Sequence, residues 1–251
     1  MSATAPQRVG LIVPSSNVTI ETEVPRMLAG AVAGGRLTFH SSRAVLHRVD
    51  PESLDRMVTA SDRCAAELAD ARVDALVYAC LVAVMARGHG AHEQIEARLA
   101  GIARDNGCDA PIVSSAGALV RTLERLGAKR AAIITPYAPA LTEQVAAYIE
   151  SHGCEVASTV SLAVTDNVAV GRLDPMRLPE HAERLALDGV DVVVASACVQ
   201  MPSLAALGAL EQQLGLPVIS AASATAAELA AALGLGADLD APGAALGGTV
   251  A

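Results

Sequence analysis

A buried-strand pattern that ends on a cysteine occurs twice in this chain. Residues 73–85, VDALVYACLVAVM, and residues 190–201, VDVVVASACVQM, each open with Val-Asp, continue as an apolar run and carry a cysteine at nearly the same place. Continuous apolar runs rich in Val and Leu are typical of strands buried in a parallel sheet. The two copies predict two similar strands, each of which delivers a thiol, Cys80 or Cys198, to the loop that follows.

Two further pairs of segments repeat in the same order. Residues 8–14, RVGLIVP, are echoed by residues 130–136, RAAIITP, and PIVS at 111–114 is echoed by PVIS at 217–220. The offset of roughly 105 to 122 residues is far longer than a solenoid repeat. Because strands alternate with helical segments throughout, we expect parallel sheets joined by helical crossovers. The duplication therefore predicts an α/β fold of two pseudo-symmetric lobes.

The same pattern predicts where the lobes begin and end. We expect residues 1–116 together with 215–235 to form the first lobe, because the last strand and helix can pack back on it. Residues 117–214 are predicted to form the second lobe. Residues 236–251 are predicted to be a flexible C-terminal tail.

Neutral hydrogen-bond donors follow several of the predicted strands. Asn17 comes after the first strand, Tyr137 after its repeat, and Asn167 after a strand of the second lobe. In parallel α/β sheets, ligands collect outside the carboxyl ends of the strands, where Cys80 and Cys198 are also expected. Neutral donors and backbone N–H groups at helix starts suit carboxylates, and cysteine serves both as nucleophile and as acid or base. The sequence thus predicts a carboxylate site with two thiols in the cleft between the lobes.

Composition excludes several other functions. The formal charge of −9 argues against binding of nucleic acid or an anionic membrane surface. Lys129 is the only lysine, which sets amine catalysis aside, and the phosphate-loop patterns GxGxxG and GxxxxGK[ST] are missing, so no cofactor is expected. Five cysteines without CxxC spacing favour reduced thiols over a metal site. The N-terminus lacks a signal-peptide pattern and no apolar stretch is long enough to span a bilayer, so we expect a cytoplasmic protein.

Several longer strings resemble one known family. The resemblance is to the maleate cis-trans isomerases, of the Asp/Glu racemase superfamily, and covers about residues 7 to 235. It implies two similar four-stranded parallel lobes related by a pseudo-twofold axis, no cofactor, a small dicarboxylate substrate and a homodimer. The strings that carry it are RVGLIVPSSNVTIETE, YACLVAVMARGHG, ITPYAPAL, VTDNVAVG and SACVQMPSL.

The resemblance also implies a role for each candidate site residue. Cys80 would be the nucleophile that adds to the double bond of maleate, giving a succinyl-like intermediate free to rotate, and Cys198 would give and take the proton at the neighbouring carbon. Asn17 and Asn167 would hold the carboxylates, with Tyr137 donating from the second lobe. Further contacts to substrate are expected from Ser15, Ser16, Val82 and Val199.

Three alternatives stay open on the sequence. An amino-acid racemase of the same superfamily would use both thiols to exchange an α-proton, although the apolar Leu81-Val82 and the Val199-Gln200 that follow the cysteines disfavour an ammonium group. An arylmalonate-type decarboxylase uses only the second cysteine, so Cys80 argues against it. A non-catalytic carboxylate-binding protein would need neither thiol.

Overall fold

The computed structural model describes residues 5–235 and contains two parallel sheets of four strands. The first sheet has the order β2-β1-β3-β4, and every neighbouring pair of strands is parallel. Its strands are β1 (Gln7–Pro14), β2 (Leu37–Ala44), β3 (Ala75–Tyr78) and β4 (Ile112–Ser114). The helices of this half are α1 (Ile20–Met27), α2 (Ala29–Ala33), α3 (Pro51–Asp70), α4 (Leu81–Met85), α5 (Ala91–Asp105) and α6 (Ser115–Arg125).

The second sheet repeats this arrangement in the order β6-β5-β7-β8, again with parallel pairing throughout. Its strands are β5 (Arg130–Thr135), β6 (Glu155–Ser161), β7 (Val192–Ser196) and β8 (Val218–Ser220). Its helices are α7 (Pro139–Glu150), α8 (Asn167–Val170), a 3-10 turn (Pro175–Arg177), α9 (Leu178–Ala182), α10 (Leu204–Leu214) and α11 (Ala221–Ala232). The predicted fold of two similar four-stranded α/β lobes is confirmed.

The strands that precede the two cysteines lie in the interior of their sheets. Every residue of β3 and of β7 is buried, which accounts for their unbroken apolar sequences. Both strands have neighbours on either side, β1 and β4 for β3, and β5 and β8 for β7. The residues that follow them therefore emerge at the centre of each sheet's carboxyl edge, where parallel α/β folds place their ligands.

The end of the described chain differs in part from the expected lobe boundary. Strand β8 pairs with β7 and therefore belongs to the second sheet, whereas the prediction that residues 215–235 join the first lobe placed it with the first. The reason is that the α10 crossover returns the chain to the sheet from which β7 came. The following helix, α11, packs on α1 and on α6, the helix that follows the last strand of the first sheet, and Glu228 on α11 forms ion pairs with Arg121 and Arg125 on α6. The predicted boundary between residues 116 and 117 falls inside α6, and the predicted tail at 236–251 lies outside the described residues.

Side-chain caps define where the helices near the carboxyl edges begin. Ser114 and Ser220 end the fourth strand of each sheet, and their hydroxyls accept hydrogen bonds from Gly117 N and Ser223 N in the next helix. Asp166 accepts from Ala169 N at 2.7 Å and starts the short α8. This last cap fixes Asn167 as the first residue of α8, beside the loops of the first lobe.

Candidate active site

Cys80 lies directly between β3 and α4. It occupies the position just before the helix, and its side chain is buried. The backbone N–H of Ala83, in the first turn of α4, lowers the pKa of this thiol, whereas burial and the nearby Cys198 raise it. Burial dominates, and the net effect raises the pKa of Cys80 to about 12.

Cys198 stands at the same place after β7, but a loop of residues 199–203 follows it in place of a helix. The hydroxyl of Ser196 donates to the carbonyls of Cys198 and Met201, at 2.8 and 3.1 Å, and this folds the loop into a tight turn. The Gln200 N–H then lies 3.4 Å from the Cys198 sulfur. Burial raises the pKa of Cys198, and hydrogen bonds from Tyr137, Gln200 and Met201 oppose that rise.

Both thiols line one small cavity between the lobes. The space between its walls is about 20 Å³, enough for roughly one water molecule. Of the predicted site residues, the structure brings together seven here: Cys80, Cys198, Asn17, Tyr137, Asn167, Val82 and Val199. The other walls are Pro14, Leu46, Val49, Ala79, Leu81 and Gln200.

Asn17 presents an unused donor to this cavity. Its Oδ1 accepts hydrogen bonds from Thr19 N at 3.0 Å and Ile20 N at 3.3 Å, at the start of α1, which fixes the amide orientation. Its Nδ2 is buried and has no hydrogen-bond partner within residues 5–235. A buried N–H without an acceptor is costly. A carboxylate bound beside Asn17 would supply the acceptor.

Asn167 reaches the cavity from the second lobe. Its Nδ2 donates to Ser16 Oγ at 2.7 Å and to the Leu46 carbonyl at 3.3 Å. These bonds join α8 to two loops of the first lobe. They also show that Asn167 must exchange at least one present partner to donate to a ligand.

Ser15 and Ser16 do not line the cavity. The Ser15 hydroxyl accepts from Leu46 N at 3.1 Å, and the Ser16 hydroxyl donates to the Leu46 carbonyl at 3.3 Å. Both side chains therefore hold the β2–α3 loop, residues 45–50, against the β1–α1 loop. Their predicted contacts with substrate stay predictions.

The side chains that hold the Cys198 loop in place carry no recognisable signal in the sequence. Glu23 on α1 is buried, and its carboxylate accepts from Ser203 N at 2.7 Å, Leu204 N at 2.8 Å and Ser203 Oγ at 3.1 Å. Thr19 donates its hydroxyl to the Gln200 carbonyl at 2.8 Å. Helix α1 of the first lobe thus supports the loop of the second.

Gln200 ties the same loop to the other walls. Its side-chain amide donates to the Asn167 carbonyl and lies 3.5 Å from the hydroxyl and the carbonyl oxygen of Ser16.

The contact of Glu23 with this loop could not be predicted from the sequence. An acidic residue near the start of an amphipathic helix suggests only a favourable charge in the early turns. The partners of Glu23 lie 180 residues away, so sequence spacing gives no signal for this contact.

The part of the chain that the structure describes has no candidate metal site. Among residues 5–235, no group of three or more His, Cys, Asp or Glu side chains is arranged to hold a metal ion. No helix of this part is long and apolar enough to cross a membrane. What the cavity offers is two thiols, a phenol and amide donors, which suits proton transfer and thiol addition to a small carboxylate.

Comparison with known proteins agrees with this chemistry. A family model for arylmalonate decarboxylase matches residues 9–246. The maleate isomerase of Alcaligenes faecalis is 53% identical over 231 residues, 91% of each chain. The crystal structure of the Pseudomonas putida S16 maleate isomerase, a cysteine-to-alanine variant with maleate, superposes with a TM-score of 0.88 at 49% identity, covering 91% of this chain and 92% of that one.

A second solved structure shows the covalent chemistry of a relative. It is a cysteine-to-serine variant of Nocardia farcinica maleate cis-trans isomerase with a covalently bound succinylcysteine intermediate. It superposes with a TM-score of 0.92 at 42% identity and covers 96% of this chain and 98% of that one. With high identity over nearly the whole length and the same two-lobed fold, the chain belongs to the maleate isomerase family of the Asp/Glu racemase superfamily.

Proposed function

We propose that this chain isomerises maleate to fumarate through a covalent succinyl-cysteine intermediate. The observation that carries the proposal is the pairing of Cys80 and Cys198 in one buried cavity beside the unpartnered amide of Asn17. The succinylcysteine of the Nocardia relative supports the covalent route. The high identity to several maleate isomerases supports the substrate.

The reaction begins when Cys80 loses its proton to solvent and the resulting thiolate adds to C2 of maleate. A carbon–sulfur bond forms, the C2–C3 double bond becomes single, and its electron pair moves to C3 and the attached carboxylate. The Cys198 thiol then gives its proton to C3, which leaves Cys198 as the thiolate. Rotation about the C2–C3 single bond carries the two carboxylates from the cis to the trans arrangement.

The second half reverses these steps. The Cys198 thiolate takes a proton from C3, the electron pair reforms the double bond, and the carbon–sulfur bond breaks to release fumarate and the Cys80 thiolate, which takes a proton back from solvent. Each cysteine returns to its starting protonation state, so no oxidant, reductant or cofactor is required. Cofactor-free turnover is accordingly part of the proposal.

Donors around the cavity would stabilise the charge that develops. As the electron pair moves to C3, negative charge builds up on the adjoining carboxylate, and fixed N–H and O–H donors lower the free energy of that state. Asn17 Nδ2 is available for one carboxylate, and Asn167 Nδ2 for the other if it releases Ser16 or Leu46. Tyr137 hydrogen-bonds to Cys198 and would donate a hydrogen bond from the second lobe.

The remaining predicted site residues would act differently. Val82 and Val199 complete the walls around the reacting carbons. Ser15 and Ser16 would contact substrate only after releasing Leu46.

We also propose that the protein works as a homodimer in the cytoplasm. The resemblance to the family supports the homodimer, and five free cysteines fit the reducing environment of the cytoplasm. Size-exclusion chromatography with light scattering measures the first. A mass of one chain at working concentration would contradict it.

Proton NMR of the purified protein with maleate in D₂O, without added cofactor, tests the proposed function. We expect the vinyl signal of maleate to be replaced by that of fumarate, while L-aspartate and L-glutamate in parallel samples keep their α-protons. Exchange of the amino-acid α-protons with maleate unchanged would instead identify a racemase. Loss of carbon dioxide from phenylmalonate with maleate unchanged would identify a decarboxylase, and binding of maleate without conversion would identify a carboxylate-binding protein.

A further inference from the structure

A larger cavity lies beside the thiol cavity. Its volume is about 480 Å³, and it opens between the β2–α3 loop, α4 and the start of α7. Cavities of this size hold molecules considerably larger than maleate. Two residues, Val49 and Tyr137, line both cavities and form the wall between them.

The thiol cavity can expand most easily through this shared wall. Its present volume of about 20 Å³ is too small for a dicarboxylate, so some walls must move when substrate binds. Most of its walls are buried side chains of strand ends and helix starts, packed against the core, where displacement is costly. Val49 is only half-buried and is backed by empty space, so it can move at lower cost.

Val49 and Tyr137 differ in how firmly they are held. Tyr137 is buried and hydrogen-bonds to Cys198, and its backbone oxygen accepts from Ser161 and Ala163. Val49 carries no polar side-chain atom, so only packing holds it in place. The size of the Val49 side chain therefore decides how far the thiol cavity can extend.

The lining of the larger cavity indicates which substituent it would accept. Much of its surface is aliphatic, from Leu54, Ala83, Ala86, Ala138, Leu141 and Val164. Its four charged residues balance, since Arg48 and Arg87 are matched by Asp50 and Asp55, and Arg87 pairs with Asp55. An additional carboxylate would meet no surplus of positive charge there, whereas a short alkyl chain would bury apolar surface.

We propose that Val49 sets the substrate range by separating the thiols from this aliphatic cavity, and that its truncation admits maleates with a longer alkyl group at C2. The proposal rests on the proposed isomerase function and assigns its substrate class: maleates with at most a small group such as methyl at C2 for the natural chain, and maleates with longer 2-alkyl groups once the wall is opened. The alkyl group would pass the position of the lost methyl groups and lie against the aliphatic lining.

The test measures kcat/KM for maleate and for 2-propylmaleate by NMR, with the natural chain and with Val49→Ala. We expect Val49→Ala to raise the ratio of 2-propylmaleate to maleate kcat/KM by about tenfold or more, in line with the discrimination that small apolar groups provide in a pocket. Val164→Ala is the matched control, because Val164 lines the larger cavity but not the thiol cavity. It should leave the ratio within about twofold of the natural chain.

A second variant keeps the test decisive if Val49→Ala folds poorly. Val49→Leu enlarges the wall, and we expect it to lower kcat/KM for 2-methylmaleate more than for maleate. The proposal is overturned if neither Val49 variant changes the ratios, if Val164→Ala changes them equally, or if the natural chain already converts 2-propylmaleate as fast as maleate. Failure of the natural chain to convert maleate at all would instead overturn the proposed function and this inference with it.

Discussion

The two cysteines follow duplicated strands, yet the chain holds them in place in different ways. Cys80 leads straight into α4, all of whose residues are buried and which packs mainly on α3, α5 and α6 of the same half. Cys198 leads into an irregular loop that Ser196 folds from within and that Thr19 and Glu23 support from the other lobe. The position of Cys80 thus depends on local packing, whereas that of Cys198 depends on how the lobes meet.

This difference agrees with the roles proposed for the two thiols. A nucleophile needs a fixed approach to carbon, which the start of a short helix can provide, and the Ala83 N–H of that helix lowers the pKa of the Cys80 thiol. A proton donor and acceptor must keep its hydrogen bonds while its charge changes; the Gln200 N–H lies 3.4 Å from the Cys198 sulfur, and Tyr137 and Met201 also lower the pKa of that thiol. The comparison therefore predicts that the two sites respond differently to mutation.

Substitution of the thiols gives the largest expected effect. Cys80→Ser and Cys198→Ser should each lower kcat by roughly 10³-fold or more, because each proposed step needs its own sulfur. Only Cys198→Ser should accumulate a covalent adduct of the mass of one maleate. In this variant Cys80 can still add to maleate, but serine removes the proton from C3 of the adduct inefficiently. Intact-protein mass spectrometry after incubation with maleate measures this asymmetry, and an adduct on Cys80→Ser would reverse the proposed roles.

The pH dependence of alkylation gives the next largest effect. Burial raises the pKa of Cys80 to about 12 and raises that of Cys198, so both are thiols at neutral pH in the free enzyme. Because the thiolate is the reactive form, inactivation by iodoacetamide should speed up about tenfold per pH unit from 7 to 9 without levelling off. Free cysteine in the same buffers is the control, and its rate should level off as the pH passes about 8.5. A plateau for the protein below pH 8 would contradict this account.

Removal of the support beneath the Cys198 loop should have a smaller effect. Glu23→Ala leaves the buried N–H groups of Ser203 and Leu204 without an acceptor and should cost about 3 kcal/mol of unfolding free energy. Its kcat should fall about tenfold at a temperature where it is folded, as Cys198 is less firmly placed. Glu23→Gln is the matched control, since its Oε1 can still accept both bonds, and it should keep most of the stability and activity.

The pH dependence of stability tests the same support of the Cys198 loop by Glu23. Desolvation raises the pKa of Glu23 above its ordinary value. A carboxyl whose pKa is higher in the folded state stabilises the fold below its unfolded pKa and loses that contribution as pH rises through the folded value. Denaturant unfolding should therefore show the natural chain gaining stability relative to Glu23→Gln as pH falls from 7 toward 4.5, and the opposite trend would be inconsistent with a buried carboxylate.

The three remaining cysteines should show the smallest effect. Cys64, Cys108 and Cys154 are buried free thiols that line neither the thiol cavity nor the neighbouring one. Replacing each with alanine should change kcat/KM for maleate less than about twofold and lower stability by about 1 kcal/mol. Steady-state kinetics with thermal melts measures both, and a large loss of activity would point to a third functional thiol.

The sequence predicted the strands well because buried parallel strands leave a clear apolar signature. Cys80, Cys198, Asn17, Tyr137 and Asn167 were placed correctly at one cleft since each directly follows or closely trails such a strand. Short helices were harder to predict: residues 81–85 continue the apolar run of β3, and only backbone geometry distinguishes the strand from α4.

Contacts between the lobes could not be predicted from one sequence. The bonds from Glu23 to Ser203 and from Thr19 to Gln200 join residues about 180 positions apart, and no local spacing signals them. The sheet to which β8 belongs was predicted wrongly for a related reason. The echo of PIVS by PVIS indicated a strand but carried no information about its neighbour.

The packing of α6 against α11 has a consequence for how the molecule unfolds. Each helix follows the last strand of its sheet, and Glu228 on α11 pairs with Arg121 and Arg125 on α6. Because each lobe covers apolar surface of the other, neither sheet can melt while its partner stays intact without exposing that surface to water. Heating should therefore unfold both sheets in one cooperative transition, and a duplicated sequence behaves thermodynamically as a single unit.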